Sequence, residues 1–214
     1  MKRDEVSEGV QALERSVVAL GNTVESLFAD CVVALLDPMD GAVGELRRED
    51  YKAHDQWLDV DSLCRELLTE SRPNPEQVRF IMAAVTIAAD LKRVADESLR
   101  IGEGLRACPA PSILQADPTG CVQRMIELTQ AMQNDVMEAF INGDAGEANG
   151  LHLVFRELVS LNERAARELC VAVERETVGI DVSIRLLAVG QRLERIADEV
   201  LDMSNQVARL LREK

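Results

Sequence analysis

Three carboxylates near the end of the chain have the spacing of a single helix face. Glu194, Asp198 and Asp202 lie at i, i+4 and i+8, so a helix would align their side chains on one side. Such oxygen atoms bind hard or borderline cations, but a facing helix would have to supply further carboxylates to complete the coordination. The pattern therefore predicts either half of a metal site or an exposed acidic stripe. Repulsion at this spacing costs only about 0.2–0.5 kcal/mol per pair, so folding does not require a metal.

The sequence lacks the motifs of common catalytic sites. It contains no glycine-rich phosphate loop, no His-Glu-x-x-His and no nucleophile elbow. A di-iron carboxylate enzyme is the natural enzymatic alternative for a helical protein with acidic repeats, and it needs glutamate three residues before a metal-binding histidine. The residues three before His54 and His152 are Tyr51 and Asn149. We therefore expect no catalytic activity.

Charge and cysteine content restrict the partners and the compartment. The 214 residues include 38 acidic and 24 basic ones, and the net charge of −14 disfavours nucleic acid and anionic lipid. The five cysteines form no Cys-x-x-Cys pair, which fits a reducing cytosol. The most apolar internal run, residues 80–89, is half of the ~20 residues that span a bilayer. We expect a cytoplasmic protein without an inserted segment, and one that can still contact membrane proteins.

Composition and periodicity predict an all-α protein with six long helices. Aromatic residues are only 3% of the chain, which disfavours strands, and apolar residues return at helical spacing between turn sequences such as DPMDG, SRPNP and NGD. The predicted helices span residues 4–36, 42–70, 75–106, 121–141, 145–174 and 180–212.

A proline-rich segment divides these helices into two sets of three. Residues 107–120 contain three prolines and no helical period, so they are predicted to form a linker between residues 1–106 and 121–214. Helices up to ~45 Å long can bury their apolar stripes only by lateral packing. The predicted fold is two tandem three-helix bundles of antiparallel helices.

An internal repeat supports this division. Residues 91–99 read LKRVADESL and residues 193–201 read LERIADEVL, identical at six of nine positions. Chance similarity between two Leu- and Ala-rich amphipathic helices is the alternative, but the matching position late in the third helix of each half favours a duplication. Arg93 and Arg195 are equivalent, and each is predicted to pair with the glutamate one turn later on its own helix, Glu97 or Glu199. The alternative is a phosphate or partner contact.

The repeated segment resembles a signature of the PhoU family of phosphate-uptake regulators. The family's Glu-Arg-Ile-Gly-Asp corresponds to Glu-Arg-Ile-Ala-Asp at 194–198 and to Lys-Arg-Val-Ala-Asp at 92–96. The family's Gln-Pro step before Asp-Leu-Arg resembles the start of the third helix, which keeps Pro73 and Arg79 but has Gln77 in place of the aspartate. The resemblance implies a fold of two three-helix bundles.

The resemblance also implies partners and a role. Such proteins restrain phosphate import and phosphate-starvation signalling by contacting the ATPase subunit of the phosphate transporter and a sensor histidine kinase. An alternative is a divergent relative that accompanies a different, low-affinity phosphate transporter. The resemblance is compatible with a homodimer.

Some family members bind iron or zinc clusters at paired acidic motifs, and this sequence departs from those motifs. Lys92 stands at the first acidic position of the third helix, and Trp57 stands four residues before Asp61, where glutamate is expected. The corresponding positions of the fifth helix fall on Phe155 and Val159. The candidate ligands for iron or zinc are Glu194, Asp198 and Asp202, followed by Asp61, Asp90 and Asp96. Asp55 and Asp59 could join Asp61 in a displaced cluster.

Overall fold

In the part of the chain that the structure describes, six helices form the framework of the protein. The computed structural model describes residues 2–37, 41–70, 72–104, 114–115, 117–143 and 150–212, and it places no strand among them. The helices are α1 (Lys2–Leu36), α2 (Ala42–Glu70), α3 (Pro75–Gly104), α4 (Cys121–Asn142), α5 (Leu151–Glu174) and α6 (Ile180–Arg212). Each predicted helix end that falls on described residues is correct to within two residues. The predicted helical residues 105–106 and 145–149, and most of the predicted linker, lie outside the described residues.

The helices pack as two bundles side by side. Helices α1, α2 and α3 contact one another, and α4, α5 and α6 do the same. The bundles meet mainly where α3 packs on α6, with a smaller contact between α1 and α4. Buried apolar side chains from both bundles form one continuous core. The predicted all-α fold of two three-helix bundles is confirmed.

Helix α1 is the most apolar of the described helices. Its segment Val6–Leu36 is long and apolar enough to cross a membrane by length and composition, and half of its most apolar window is buried inside the protein. Leu13, Leu20 and Leu27 lie on its buried face without any exposed surface. The apolar character of α1 is therefore used in packing against α2 and α3.

The start of α3 is fixed by a reciprocal cap. The Asn74 side chain accepts a hydrogen bond from the Gln77 backbone N–H at 2.9 Å, and the Gln77 side chain accepts one from the Asn74 N–H at 2.9 Å. Pro75 occupies the first helical position, where its missing N–H costs nothing. This cap sets where α3 begins and hence the register of the repeated segment that it carries.

We expect Asn74→Ala to lower the free energy of unfolding by about 1 kcal/mol, because the cap loses its acceptor. Urea denaturation followed by circular dichroism measures the change. Asn134→Ala is the matched control, since Asn134 is exposed in the interior of α4, where alanine is the better helix former. Equal losses in the two variants would show that the cap contributes nothing.

The start of α4 is fixed by the end of the linker. Asp117 accepts hydrogen bonds from the backbone N–H groups of Thr119 and Val122, and the Thr119 hydroxyl accepts one from Cys121 N–H. Gly120 adopts a positive φ of 65°, which a side chain would strain. The second bundle therefore begins at a defined residue.

Candidate functional site

The two copies of the repeat lie against each other. Residues 90–100 of α3 and 192–202 of α6 belong to the most extensive helix–helix contact in the described part of the chain, and we call the contact between these two segments the seam. The apolar repeat positions are buried in both helices, Leu91 and Val94 in α3 and Leu193 and Ile196 in α6. Arg93 and Arg195 lie at the exposed edges of the seam, whereas the charged positions Asp90 and Glu97 are buried.

The arginines of the repeat pair across the seam. Arg93 Nε donates to Glu199 Oε2 at 2.5 Å, and Arg195 Nη1 lies 3.7 Å from Glu97 Oε1. The predicted pairs within each helix, Arg93 with Glu97 and Arg195 with Glu199, are wrong. The helices are antiparallel at this point, so the arginine of each copy meets the glutamate of the other copy.

One end of the seam is acidic. The acidic cluster consists of Asp90, Arg93, Glu199 and Asp202. Asp90 is only 1% exposed, its Oδ1 accepts a hydrogen bond from Arg93, and no described protein group bonds its Oδ2. Burial raises the pKa of Asp90 to about 7; Arg93 opposes the shift, and the Glu199 and Asp202 charges add to it.

The other end of the seam is basic. The arginine cluster consists of Arg100, Arg192 and Arg195 around the Glu97 carboxylate, whose side chain is 10% exposed. Arg100 bonds Oε1 from the next turn of α3, and Arg192 Nη1 donates to Oε2 at 2.7 Å from α6. Three guanidinium groups thus converge on one buried carboxylate.

The two ends are related by the duplication with their charges exchanged. Asp90 is equivalent to Arg192, and Arg100 is equivalent to Asp202. Both copies therefore keep the central arginine and glutamate, but the residues at the two ends of the segment carry opposite charges. Sequence reasoning missed this exchange because the aligned segment stopped one residue short at each end. Extended to residues 90–100 and 192–202, the sequences DLKRVADESLR and RLERIADEVLD show it directly.

In the first bundle a lysine bridges α2 and α3. The Lys92 side chain is 13% exposed, and its ammonium lies 3.1 Å from Asp50 Oδ1 and bonds Asp96 one turn later on α3. The Lys92 ammonium therefore lies between the carboxylates of Asp50 on α2 and Asp96 on α3. Asp50 was not among the sequence-derived candidates, and only the fold reveals that it faces Lys92.

In the second bundle the acidic face of α6 meets an amide. Glu194 Oε2 accepts a hydrogen bond from Asn162 Nδ2 of α5 at 2.5 Å, and Phe155 lines the same cleft of about 370 Å³ as Glu194 and Asp198. Partial burial raises the pKa of Asp198, with Asp202 and Glu194 adding to the shift. Phe155, one of the two residues at the corresponding motif positions of the fifth helix, thus lies in this cleft, and its side chain offers no oxygen ligand.

The described donors do not fit a metal cluster. Lys92 occupies the first-bundle position, Asp61 is paired with Arg65, and α5 presents the Asn162 amide and no carboxylate to Glu194. Within the described ranges, no three histidine, cysteine, aspartate or glutamate side chains are grouped to hold an ion. Binding of iron or zinc therefore stays a prediction that elemental analysis of the purified protein would test. The function proposed below does not depend on a bound metal.

The other two motif residues lie away from the seam. Pro73 directly precedes the Asn74 cap, and Arg79 lines a cleft of about 270 Å³ between the start of α3, the start of α1 and Leu210 of α6. Both residues therefore lie at the start of α3, outside the repeated segment. Their part in the resemblance is therefore separate from that of Arg93 and Arg195.

This architecture defines a class: an all-helical protein of two tandem three-helix repeats joined along a repeated Arg–Glu segment. The model of the PhoU domain matches residues 17–105 and 122–207, so one match falls in each bundle. The chain belongs to the PhoU family.

Relatives of similar length have names that refer to phosphate transport. The chain is 27% identical over 206 residues to the "Phosphate-specific transport system accessory protein PhoU homolog" of Caulobacter vibrioides, covering 92% of this chain and 85% of the relative. A Deinococcus radiodurans protein with the same name is 20% identical, with 96% and 95% covered. The similarity thus extends over both bundles.

Solved structures share the fold. The crystal structure of PhoU from Pseudomonas aeruginosa superimposes with a TM-score of 0.85 at 22% identity, covering 97% of this chain and 99% of that one. The phosphate transport system regulatory protein PhoU from Streptococcus pneumoniae gives 0.84 at 18% identity, with 98% of each chain covered. The arrangement of the two bundles is therefore that of known PhoU structures.

Proposed function

We propose that this protein is a cytoplasmic accessory protein of a phosphate-specific transport system that restrains phosphate uptake and phosphate-starvation signalling. The observation that carries the proposal is the match of the PhoU domain to both bundles, together with similarity to named accessory proteins over nearly the whole chain. The partners in this proposal are the ATPase subunit of the transporter and a phosphate-sensing histidine kinase. A homodimer is compatible with it.

The proposed mode of action is binding without turnover. The relatives are named accessory or regulatory proteins, and Arg93 with Glu199 and Arg192 with Glu97 form ion pairs that join the bundles. Such an adaptor acts through the surfaces that two rigid bundles present to partner proteins. Its charge of −14 favours basic partner surfaces.

Deletion of the gene tests the regulatory role. At high external phosphate the deletion strain is expected to show high alkaline phosphatase activity, because the restraint on starvation signalling is lost. The wild-type gene on a plasmid should restore low activity, which controls for effects on neighbouring genes. Unchanged low activity in the deletion strain would contradict the proposed negative regulation.

Co-purification of the tagged protein separates the proposal from its alternative. Recovery of a transporter ATPase subunit or a sensor kinase supports the phosphate-specific system. Recovery of a permease alone would instead favour an accessory of a low-affinity transporter. Tagged Asn74→Ala protein, altered only at the cap of α3, controls for loss of partners through weaker folding.

A further inference from the structure

Helices α1 and α4 border a polar cleft at the smaller contact between the two bundles. The helices approach closely where Gly21 meets Met137, because a Cβ atom at Gly21 would collide with the Met137 side chain. Beside this crossing lies a cleft of about 470 Å³. Its polar lining consists of Asn22, Glu25, Ser26, Gln130, Gln133 and Asn134. The cleft therefore combines hydrogen-bonding groups with room for a ligand the size of a side chain.

The helix segments that border the cleft carry carboxylates and no basic residue. Residues 16–36 of α1 and 125–142 of α4 contain no lysine, arginine or histidine, and their acidic residues are Glu25, Asp30, Glu127, Asp135 and Glu138. Among the described residues, only Glu127 of these five has an ion-pair partner, Arg124. Burial raises the pKa of Glu25, the Glu138 charge adds to the shift, and no described cation opposes it. The cleft therefore contains a carboxylate that the described part of the chain leaves without a counter-charge.

A buried acceptor in the cleft also has no partner. Gln133 is 4% exposed, and its Nε2 donates to the Thr129 carbonyl of the same helix at 3.5 Å. Its Oε1 accepts no hydrogen bond within the described ranges. A buried oxygen without a donor is unfavourable, and native structures rarely leave one without a ligand or water. Water supplies a donor but not the positive charge that Glu25 lacks, so a cationic donor satisfies both groups.

The lining favours a guanidinium group over a metal ion or an ammonium. Metal ions need several oxygen ligands at about 2.0–2.6 Å, and the described residues include no group of three such acidic side chains. A guanidinium presents five N–H donors in one plane, which carboxylate and amide oxygens can accept together, whereas an ammonium presents three. The methylene stem of an arginine packs on apolar surface, which Phe28 and Ala29 provide in the same cleft.

We propose that the cleft between α1 and α4 binds an arginine side chain of a partner protein, with its guanidinium at Glu25 and Gln133. The exposed side chains of Asn22, Ser26 and Asn134 border the cleft, where they can bond the peptide groups on either side of that arginine. The net charge of −14 favours the approach of a basic partner surface. The inference goes beyond the proposed regulatory function, because it assigns a binding surface and the side chain that occupies it.

Titration of the ¹⁵N-labelled full chain with a capped peptide, followed by NMR at constant ionic strength, tests the site. The probe is acetyl-Gly-Ser-Arg-Ser-Gly-amide, which is expected to shift the side-chain amide signals of Gln133 and Asn22 saturably. The same peptide with lysine should bind more weakly, and with citrulline, which keeps the shape but not the charge, it should not bind. Free arginine should bind more weakly than the peptide, because it lacks the flanking peptide groups.

Two variants and a matched control locate the contact. Glu25→Gln is expected to weaken binding of the arginine peptide about tenfold, the usual loss for a hydrogen bond to a charged group. Gln133→Met removes the unpartnered oxygen at similar side-chain length, so it should weaken binding, seen at the Asn22 signal, without loss of stability. Glu14→Gln should leave the affinity unchanged. Glu14 is also partly buried and lies about three turns earlier on the same face of α1, but it does not line the cleft.

Four results would overturn the proposal. The first is the absence of a saturable shift with the arginine peptide through the millimolar range. The second is equal affinity for the arginine peptide and either the lysine or the citrulline peptide. The third is an equal effect of Glu25→Gln and Glu14→Gln, which would place the contact elsewhere. The fourth is tighter binding of free arginine than of the peptide, which would indicate a small-molecule site. The deletion phenotype tests the regulatory role separately from all four.

Discussion

Replacement of Asp90 by asparagine is expected to stabilise the protein by about 2–4 kcal/mol at pH 8, with a smaller gain at pH 5. Asp90 is buried at the seam, and only one of its two oxygens has a described partner. Asparagine keeps the size and the acceptor that Arg93 uses. It removes the charge that burial makes costly.

The direction of the pH dependence follows from the raised pKa. The pKa of Asp90 rises from the ordinary 3.8 to about 7, mainly because the carboxylate is buried, and Arg93 does not fully offset the burial and the charges of Glu199 and Asp202. The folded state therefore holds the proton more tightly than the unfolded state. The stability that comes from this protonated group is complete below about pH 4 and is lost as the pH rises to about 7, with no further loss above that.

Urea denaturation of both proteins between pH 5 and pH 8 measures the difference, in which the contributions of carboxylates that do not interact with Asp90 cancel. Asp61→Asn is the control for a loss of one negative charge, since Asp61 pairs with Arg65 on the surface of α2. Its effect on stability is expected to be small at every pH. A difference between wild type and Asp90→Asn that does not change with pH would contradict the prediction.

The helices were predictable because their signals are local. The cap at Asn74, the prolines around it and the apolar period of α1 each depend on residues within a few positions of one another. The equivalence of Arg93 and Arg195 was predictable for the same reason, because each lies in one copy of a short segment that is repeated within the chain. The repeated segment also supported the prediction of two bundles.

The pairing of charges was not predictable by the same reasoning. A helix offers Arg93 a glutamate four residues later, and a local rule selects it, but packing of α3 on α6 brings Glu199 closer. The partners of Lys92 and Glu194 likewise come from α2 and α5. These contacts depend on which helices are neighbours, and one sequence does not contain that information in its spacing.

Lys92→Glu is expected to lower the free energy of unfolding by about 3 kcal/mol or more in the absence of metal ions. The change removes the cation that joins α2 to α3 and places a third carboxylate beside Asp50 and Asp96. Carboxylates gathered in this way are ligands for Mn²⁺ or Zn²⁺. Added metal should therefore restore much of the lost stability, since binding to the folded state alone stabilises it by about 2.7 kcal/mol at one hundred times the dissociation constant.

Two further variants separate charge repulsion from metal binding. Lys92→Met loses the bridge without adding a carboxylate, so it should be destabilised and insensitive to Mn²⁺ or Zn²⁺. Lys52→Glu makes the same charge reversal at an exposed position paired with Glu49, and it should change stability little with or without metal. Elemental analysis should then find more metal in Lys92→Glu than in wild-type protein. Equal metal content in the two, with no gain of stability from added ions, would show that Lys92 does not occupy a cation site.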